Sequence, residues 1–245
     1  MNNGGARPGR KGWRPARFAA VVVEELSDRI VSGALAAGDV LPTEPALCEE
    51  FGFSRTVVRE ALKLLEQRGL VRVEQGRGTT VQPRSSWDLL DPEVLRIALS
   101  YDDDLSLLDD LISVRRVLER EMTAQAAGRL SEAKVEELDQ IIGEMERSYR
   151  DYDRFRELDN AFHAAIMRAS GNEIGRTIVN VIHRYGDATP RLAGSSSKAS
   201  LKRTAGEHRA ILEALAQGDG DLASARVSAH IDANWTERKR RPKSS

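Results

Sequence analysis

The spacing of apolar positions changes character several times along the chain. From Phe18 to Ile30 they recur on one helical face, and "SGALAAGD" ends that helix. "LPTEPALCEEF" predicts a short second helix with Thr43 as N-cap and Pro45 in the first turn, where a missing N–H costs little. Gly52 breaks it, and "FSRTVVREALKLLEQRG" predicts a third, opened by Ser54 and stopped by Gly69. On this helix Val58, Ala61, Leu62 and Leu65 make one apolar stripe; Thr56, Arg59 and Lys63 point the other way, and Arg55 stands at its start. The spacing then shortens. In "LVRVEQGRGTTVQP" two β-prone runs flank "QGRG", which reads as a hairpin.

Asp91 and Pro92 next form a helix start, as N-cap and first residue, for a short helix to about Ser100. Trp87, Leu89, Leu90, Val94 and Leu95 are too apolar for a free linker and are expected to pack between two domains. Beyond Asp104 the pattern is helical almost throughout, with helices expected near 105–129, 131–148, 151–170, 173–191, 197–217 and 219–238. Ser131 and Asn172 read as N-caps, and Gly143 and Gly186 as weak points. The fold class that follows is mainly α: an N-terminal winged helix-turn-helix and a C-terminal all-α antiparallel helical bundle. The expected division is a basic flexible arm (1–16), the winged unit (17–83), a linker with a short helix (84–103), the bundle (104–238) and a flexible tail (239–245).

Composition narrows the class. With 245 residues, 31% charged and 40% hydrophobic, the chain suits two modest globular domains rather than a disordered polymer. A single cysteine, Cys48, allows no internal disulfide, and no apolar run approaches a membrane span; a cytoplasmic protein without a membrane partner is expected. The net charge of −1 hides an asymmetry: residues 1–86 carry 13 Lys/Arg against 10 Asp/Glu, and the remainder 24 against 28. Charge alone fits a solvated tail. Three short helices with a hairpin add weight, because in a winged helix-turn-helix the third helix enters the major groove of double-stranded DNA. Arg55 and Arg59, one turn apart, suit guanine edges or phosphates, and Arg77 between two glycines can approach the backbone.

The four histidines raise a separate question. Asp159 and His163 lie four residues apart in "ELDNAFHAAI" and project from one helix face; His208 and His230 lie on later helices, and His183 has no evident partner. Three imidazoles and an aspartate converging in a bundle would suit Zn²⁺, Ni²⁺ or Mn²⁺. Spacing alone does not assign a metal, because a lone histidine is more often structural. By spacing alone Arg115 reads as an i+4 ion pair to Glu119.

The stretch "LPTEPALCEEFGFSRTVVREALKLLEQRGLVRVEQGRGTTV" resembles the DNA-binding domain of the GntR superfamily of bacterial transcription regulators. The resemblance implies DNA contacts from Arg55, Thr56 and Arg59 and from the wing at Gly76 and Arg77. It also marks a departure: many members carry arginine where this chain has Pro45. "LISVRRVLEREMTAQAA", "DNAFHAAIMRASGN", "GEHRAILEALAQGDGDLA" and "ARVSAHI" resemble the FCD ligand-binding domain of the FadR subfamily. That resemblance implies a divalent metal, zinc first with nickel or manganese as alternatives, on Asp159, His163, His208 and His230, and a cleft role for Arg115. It points to a small carboxylate effector. The linker "RSSWDLLDPEVL" is similar to that of sugar-acid regulators, which ranks sugar acids first. The reading is a non-enzymatic regulator, preferred as a repressor of a catabolic operon, binding a palindromic operator as a homodimer. Two alternatives stay open at this point: a metalloenzyme using the Asp/His₃ centre, and a DNA-binding protein without an effector.

Overall fold

The computed structural model of the protein describes residues 13–186 and 197–240. Most of the expected arm, the end of the helix expected at 173–191 and most of the expected tail lie outside the described residues. The chain divides into two compact units, Met1–Tyr101 and Asp102–Ser245.

The first unit contains α1 (Trp13–Val31), α2 (Glu44–Phe51), α3 (Arg55–Gln67), a hairpin of β1 (Val71–Glu74) and β2 (Gly78–Val81), and α4 (Pro92–Ser100). Helix α1 begins five residues before Phe18, inside the segment expected as an arm; Pro15 then falls in its first turn, where no helical N–H is needed. The strands are antiparallel, with Val71 opposite Val81 and Glu74 opposite Gly78, and Val40 adds an isolated bridge to Thr80. Val58, Ala61, Leu62 and Leu65 of α3 are buried as their spacing requires, and Val57 joins them. They meet Val22 and Leu26 of α1, Leu47 of α2 and Leu70 in one core.

Residues 84–101 are part of this unit. The Asp91 carboxylate accepts from the N–H groups of Glu93 and Val94 at 2.9 and 3.0 Å, capping α4. Trp87, Leu89 and Val94 pack on the core of the first unit, while Leu90 is 60% exposed. Arg96 reaches Glu24 of α1 at 3.3 Å, and the Tyr101 hydroxyl donates to Asp28. Of the apolar residues expected to lie between domains, Trp87, Leu89 and Val94 thus find cover in the first unit, where α4 packs on α1.

Gly69 allows the turn from α3 into β1. Its φ is +71°, and a Cβ added there would stand 1.9 Å from the Ser86 carbonyl oxygen. Gly69→Ala therefore combines a left-handed backbone with a clash against main chain, and should lower stability by roughly 2–4 kcal/mol. Urea unfolding of the full chain checks this; a change within about 0.5 kcal/mol would show that the turn relaxes freely.

The second unit contains α5 (Ser106–Ala127), α6 (Glu132–Arg147), α7 (Tyr152–Ser170), α8 (Glu173–Gly186), α9 (Lys198–Ala216) and α10 (Gly220–Lys239). Gly143 does not interrupt α6, whose inward residues Leu138, Ile142 and Met145 flank it. Asn172 caps α8 by accepting from the Gly175 N–H at 2.9 Å. Helix α5 packs against α7, α8, α9 and α10. The core around it includes Met122, Ile142, Phe162, Ile166, Ile211 and Val227. No helix among the described residues is long and apolar enough to cross a membrane.

Candidate metal centre and nucleic-acid interface

Helical periodicity turns the histidines inward. On α7 the buried face runs through Phe155, Leu158, Phe162, His163 and Ile166, so His163 projects into the bundle and Asp159 sits one turn before it. His208 lies on the stripe of Ala205, Ile211 and Leu212 in α9, and His230 on that of Val227 and Ile231 in α10. All three imidazoles are buried. One ligand atom from each of Asp159, His163, His208 and His230 lies within 4.8 Å of all the others.

The distances suit a small cation. His163 Nε2 is 3.3 Å from His230 Nε2, and His208 Nε2 is 3.2 Å from His230 Nε2 and 3.4 Å from Asp159 Oδ1. Metal–ligand bonds of about 2.0–2.1 Å in a tetrahedron give edges of about 3.3 Å. Asp159 Oδ1 is buried and accepts no hydrogen bond among the described residues, an orphan that a cation would satisfy. The residues present fit a divalent ion.

The outer nitrogens are held differently. His163 Nδ1 stands 2.6 Å from Glu119 Oε2, His230 Nδ1 is 2.8 Å from Glu207 Oε2, and His208 Nδ1 is 3.4 Å from the Met145 sulfur. The Glu207 carboxylate accepts from His230 Nδ1, which leaves the His230 Nε2 lone pair facing the centre; His163 Nδ1 touches Glu119 Oε2 without an in-line hydrogen bond. Burial, reinforced by neighbouring His230 and His163, holds the His208 pKa well below the ordinary imidazole value. Burial also lowers His230, against the bond to Glu207 that favours its charged form. Both shifts favour the neutral imidazole that a metal binds. Burial alone would raise the Glu119 carboxyl; the Arg115 guanidinium and His163 outweigh it and hold the carboxyl well below its usual range.

Asp159 and His230 also line a cleft with about 670 Å³ of empty space, part of it open to solvent. Arg115, Tyr152, Arg156, Asn160, Thr204 and Asn234 form much of its wall. Arg115 lines this cleft, and its Nε lies 2.5 Å from Glu119 Oε1. The arrangement combines cationic and hydroxyl or amide groups beside a candidate ion, the chemistry that an oxygen-rich anion needs.

Sequence reasoning saw Glu119 only as a partner of Arg115 and missed its contacts with His163 and His183. A signal existed: Glu119 stands seven residues after Ile112 and three before Met122, both buried on α5, so it shares their inward stripe. Glu207 and Met145 gave no comparable signal. His183, left aside in the sequence, contacts Glu119 and Asn160 and is not part of the four-residue cluster.

In the first unit, Arg55, Thr56, Arg59 and Lys63 are exposed on α3. Arg59 Nε bonds to Glu44 Oε2 at 2.8 Å, which steadies its guanidinium. Gly76 has φ +80° at the hairpin tip, and the Arg77 side chain beside it is 82% exposed. Pro45 lies in the first turn of α2.

Two comparisons of sequence agree with this architecture. Residues 18–81 match the family described as bacterial regulatory proteins, gntR family, and residues 110–233 match the FCD domain. The chain is 30% identical over 202 residues to the galactonate operon transcriptional repressor of Escherichia coli (strain K12), covering 82% of this chain and 88% of that protein. It is 32% identical over 206 residues to the HTH-type transcriptional regulator LutR of Bacillus subtilis (strain 168), covering 82% and 92%. In fold it is similar to a solved structure of Lar from Listeria monocytogenes, with a TM-score of 0.55 at 19% identity, covering 97% of this chain and 100% of that one.

Proposed function

This chain belongs to the GntR family of bacterial regulatory proteins and carries an FCD domain, and from that premise we propose that it represses a catabolic operon until a small carboxylate, a sugar acid first, binds beside a zinc ion. It is a DNA-binding transcription regulator; the family and the relatives are regulators, not enzymes. The metalloenzyme alternative is thereby set aside.

In the proposed reading Asp159, His163, His208 and His230 hold the ion. Zinc comes first because three nitrogens and one oxygen at these spacings match its preferred tetrahedron; nickel and manganese remain the comparison ions. Arg115 would pair with the effector carboxylate, and the hydroxyl and amide groups of the cleft with its other oxygens. The galactonate repressor's name supports placing sugar acids first. Two copies of the chain would present α3, through Arg55, Thr56 and Arg59, to successive major grooves of a palindromic operator in the cytoplasm. The wing at Gly76 and Arg77 would meet the backbone. Effector binding would favour a dimer geometry that misfits the operator, which requires it to bind that geometry more tightly.

The observation that carries this reading is the meeting of four ligand atoms within 4.8 Å at the edge of an arginine-lined cleft. Thermal unfolding of the zinc-loaded chain against a panel of sugar acids, galactonate included, tests it. At about 100 times its dissociation constant an effector should stabilise the chain by roughly 2.7 kcal/mol. The same acid should release operator DNA in a fluorescence-anisotropy titration. If no acid shifts unfolding and removing zinc leaves operator affinity unchanged, the chain is instead a DNA-binding protein without an effector.

A further inference from the structure

Behind the four ligand groups lies a carboxylate with more partners than an ion pair requires. Glu119 is completely buried on α5. Its Oε2 stands 2.6 Å from His163 Nδ1. Its Oε1 stands 2.5 Å from Arg115 Nε and 2.9 Å from His183 Nε2. His183 is steadied in turn by Asn160, whose Oδ1 lies 2.8 Å from Nδ1.

In this structure Glu119 Oε2 and His163 Nδ1 are in contact without an in-line hydrogen bond. We propose that Glu119 is the positioning residue of the metal centre: its Oε2, held against His163 by Arg115 and His183 at Oε1, takes up the Nδ1–H when the site is loaded and so fixes Nε2 as the nitrogen that faces the ion. The proposal rests on the reading that the four groups bind a metal. A neutral imidazole carries one N–H, and an acceptor at Nδ1 selects the tautomer whose Nε2 lone pair is free. An anionic acceptor also makes the ring a stronger ligand. The i+4 pair with Arg115 is made at Oε1. The second oxygen, directed at a ligand imidazole, is what distinguishes Glu119.

The centre supplies its own comparison. Glu207 accepts a hydrogen bond from His230 Nδ1 at 2.8 Å, but its side chain is 26% exposed whereas that of Glu119 is 0% exposed. Water competes with Glu207 and supplies a substitute acceptor when it is lost. No such substitute reaches Glu119, so its removal should cost the centre more.

The test uses the full chain and Zn²⁺ itself. Zinc affinity is measured by chelator competition for the parent, Glu119→Gln, Glu119→Asp and Glu207→Gln, with circular dichroism to verify folding. Visible spectra of the Co²⁺-loaded proteins report ligand geometry. Glu119→Gln is expected to weaken zinc binding by about 10–100-fold and to shift the Co²⁺ bands, with a smaller loss for Glu207→Gln. Glu119→Asp keeps the charge but withdraws it from His163 by one methylene, and should also weaken binding; it carries the test if the glutamine variant does not fold. Parent-like affinity and spectra in either folded Glu119 variant, with only the metal-free chain destabilised, would reduce Glu119 to a structural ion-pair partner and overturn the proposal. A parent chain that takes up no Zn²⁺ removes the centre, and this role with it; a parent that binds while the Glu119 variants bind equally removes this role alone.

Discussion

Replacing His163 by alanine should reduce zinc affinity by about a hundredfold or more. Zinc binding to a four-ligand protein site is worth about 10–16 kcal/mol, or roughly 3 kcal/mol for each ligand, and about 1.4 kcal/mol corresponds to a factor of ten. The loss at His163 should exceed an even share, because the substitution also leaves the buried Glu119 without one of its partners. His208→Ala gives an instructive contrast. The outer nitrogen of His208 lies 3.4 Å from the Met145 sulfur, a weak acceptor, so its removal leaves Glu119 with all of its partners. Chelator competition on both variants, with unfolding of the metal-free proteins in parallel, separates the two contributions. His163→Ala should lower both zinc affinity and metal-free stability; His208→Ala should act chiefly on zinc affinity. Parent-like zinc affinity in both variants would mean that the four groups do not share an ion.

The second large effect concerns DNA. The double variant Arg55→Ala/Arg59→Ala should abolish measurable operator binding at physiological salt. A bidentate arginine–guanine contact contributes about 1–3 kcal/mol of discrimination, and a symmetric dimer would lose each contact twice. Four lost contacts then amount to roughly 4–12 kcal/mol, comparable with the gap between specific and non-specific binding. Arg59 carries an additional consequence. Its guanidinium lies 2.8 Å from Glu44, so removing it exposes an unpaired carboxylate beside α3, where DNA phosphates would approach. Arg59→Ala alone should therefore weaken binding more than Arg55→Ala alone. Arg77→Ala, at an 82% exposed position on the hairpin tip, should lower affinity across sequences and reduce the salt slope by about one. Anisotropy titrations over a range of salt concentrations distinguish these outcomes. Full operator affinity in the double variant would remove α3 from the interface.

Much of this could be read in one dimension. The period of Val58, Ala61, Leu62 and Leu65 gave both the third helix and the face it buries, because helix geometry converts spacing directly into direction. Left-handed Gly69 and the Asp91–Pro92 cap are also local matters, governed by backbone sterics and nearby N–H groups. Local rules were less informative where a segment's fate depended on distant partners. The stretch 84–101 reads as a linker by position, yet it folds onto α1 because its apolar face finds cover there.

The centre shows the same division. Spacing placed Asp159 and His163 on one helical face, and the inward stripes of α9 and α10 accommodated His208 and His230. Amphipathicity says which side of each helix leaves water; it does not say which of several inward sides meet. Packing around α5 brought the four groups together and set Glu119, 40 positions before Asp159, against an imidazole. Burial then set the protonation balance, lowering His208 and His230, because the cost of holding charge depends on the surrounding medium. Residue order thus specified the helices, their faces and their chemical groups, while three-dimensional packing alone established proximity and dielectric environment, since both arise from atoms far apart along the chain.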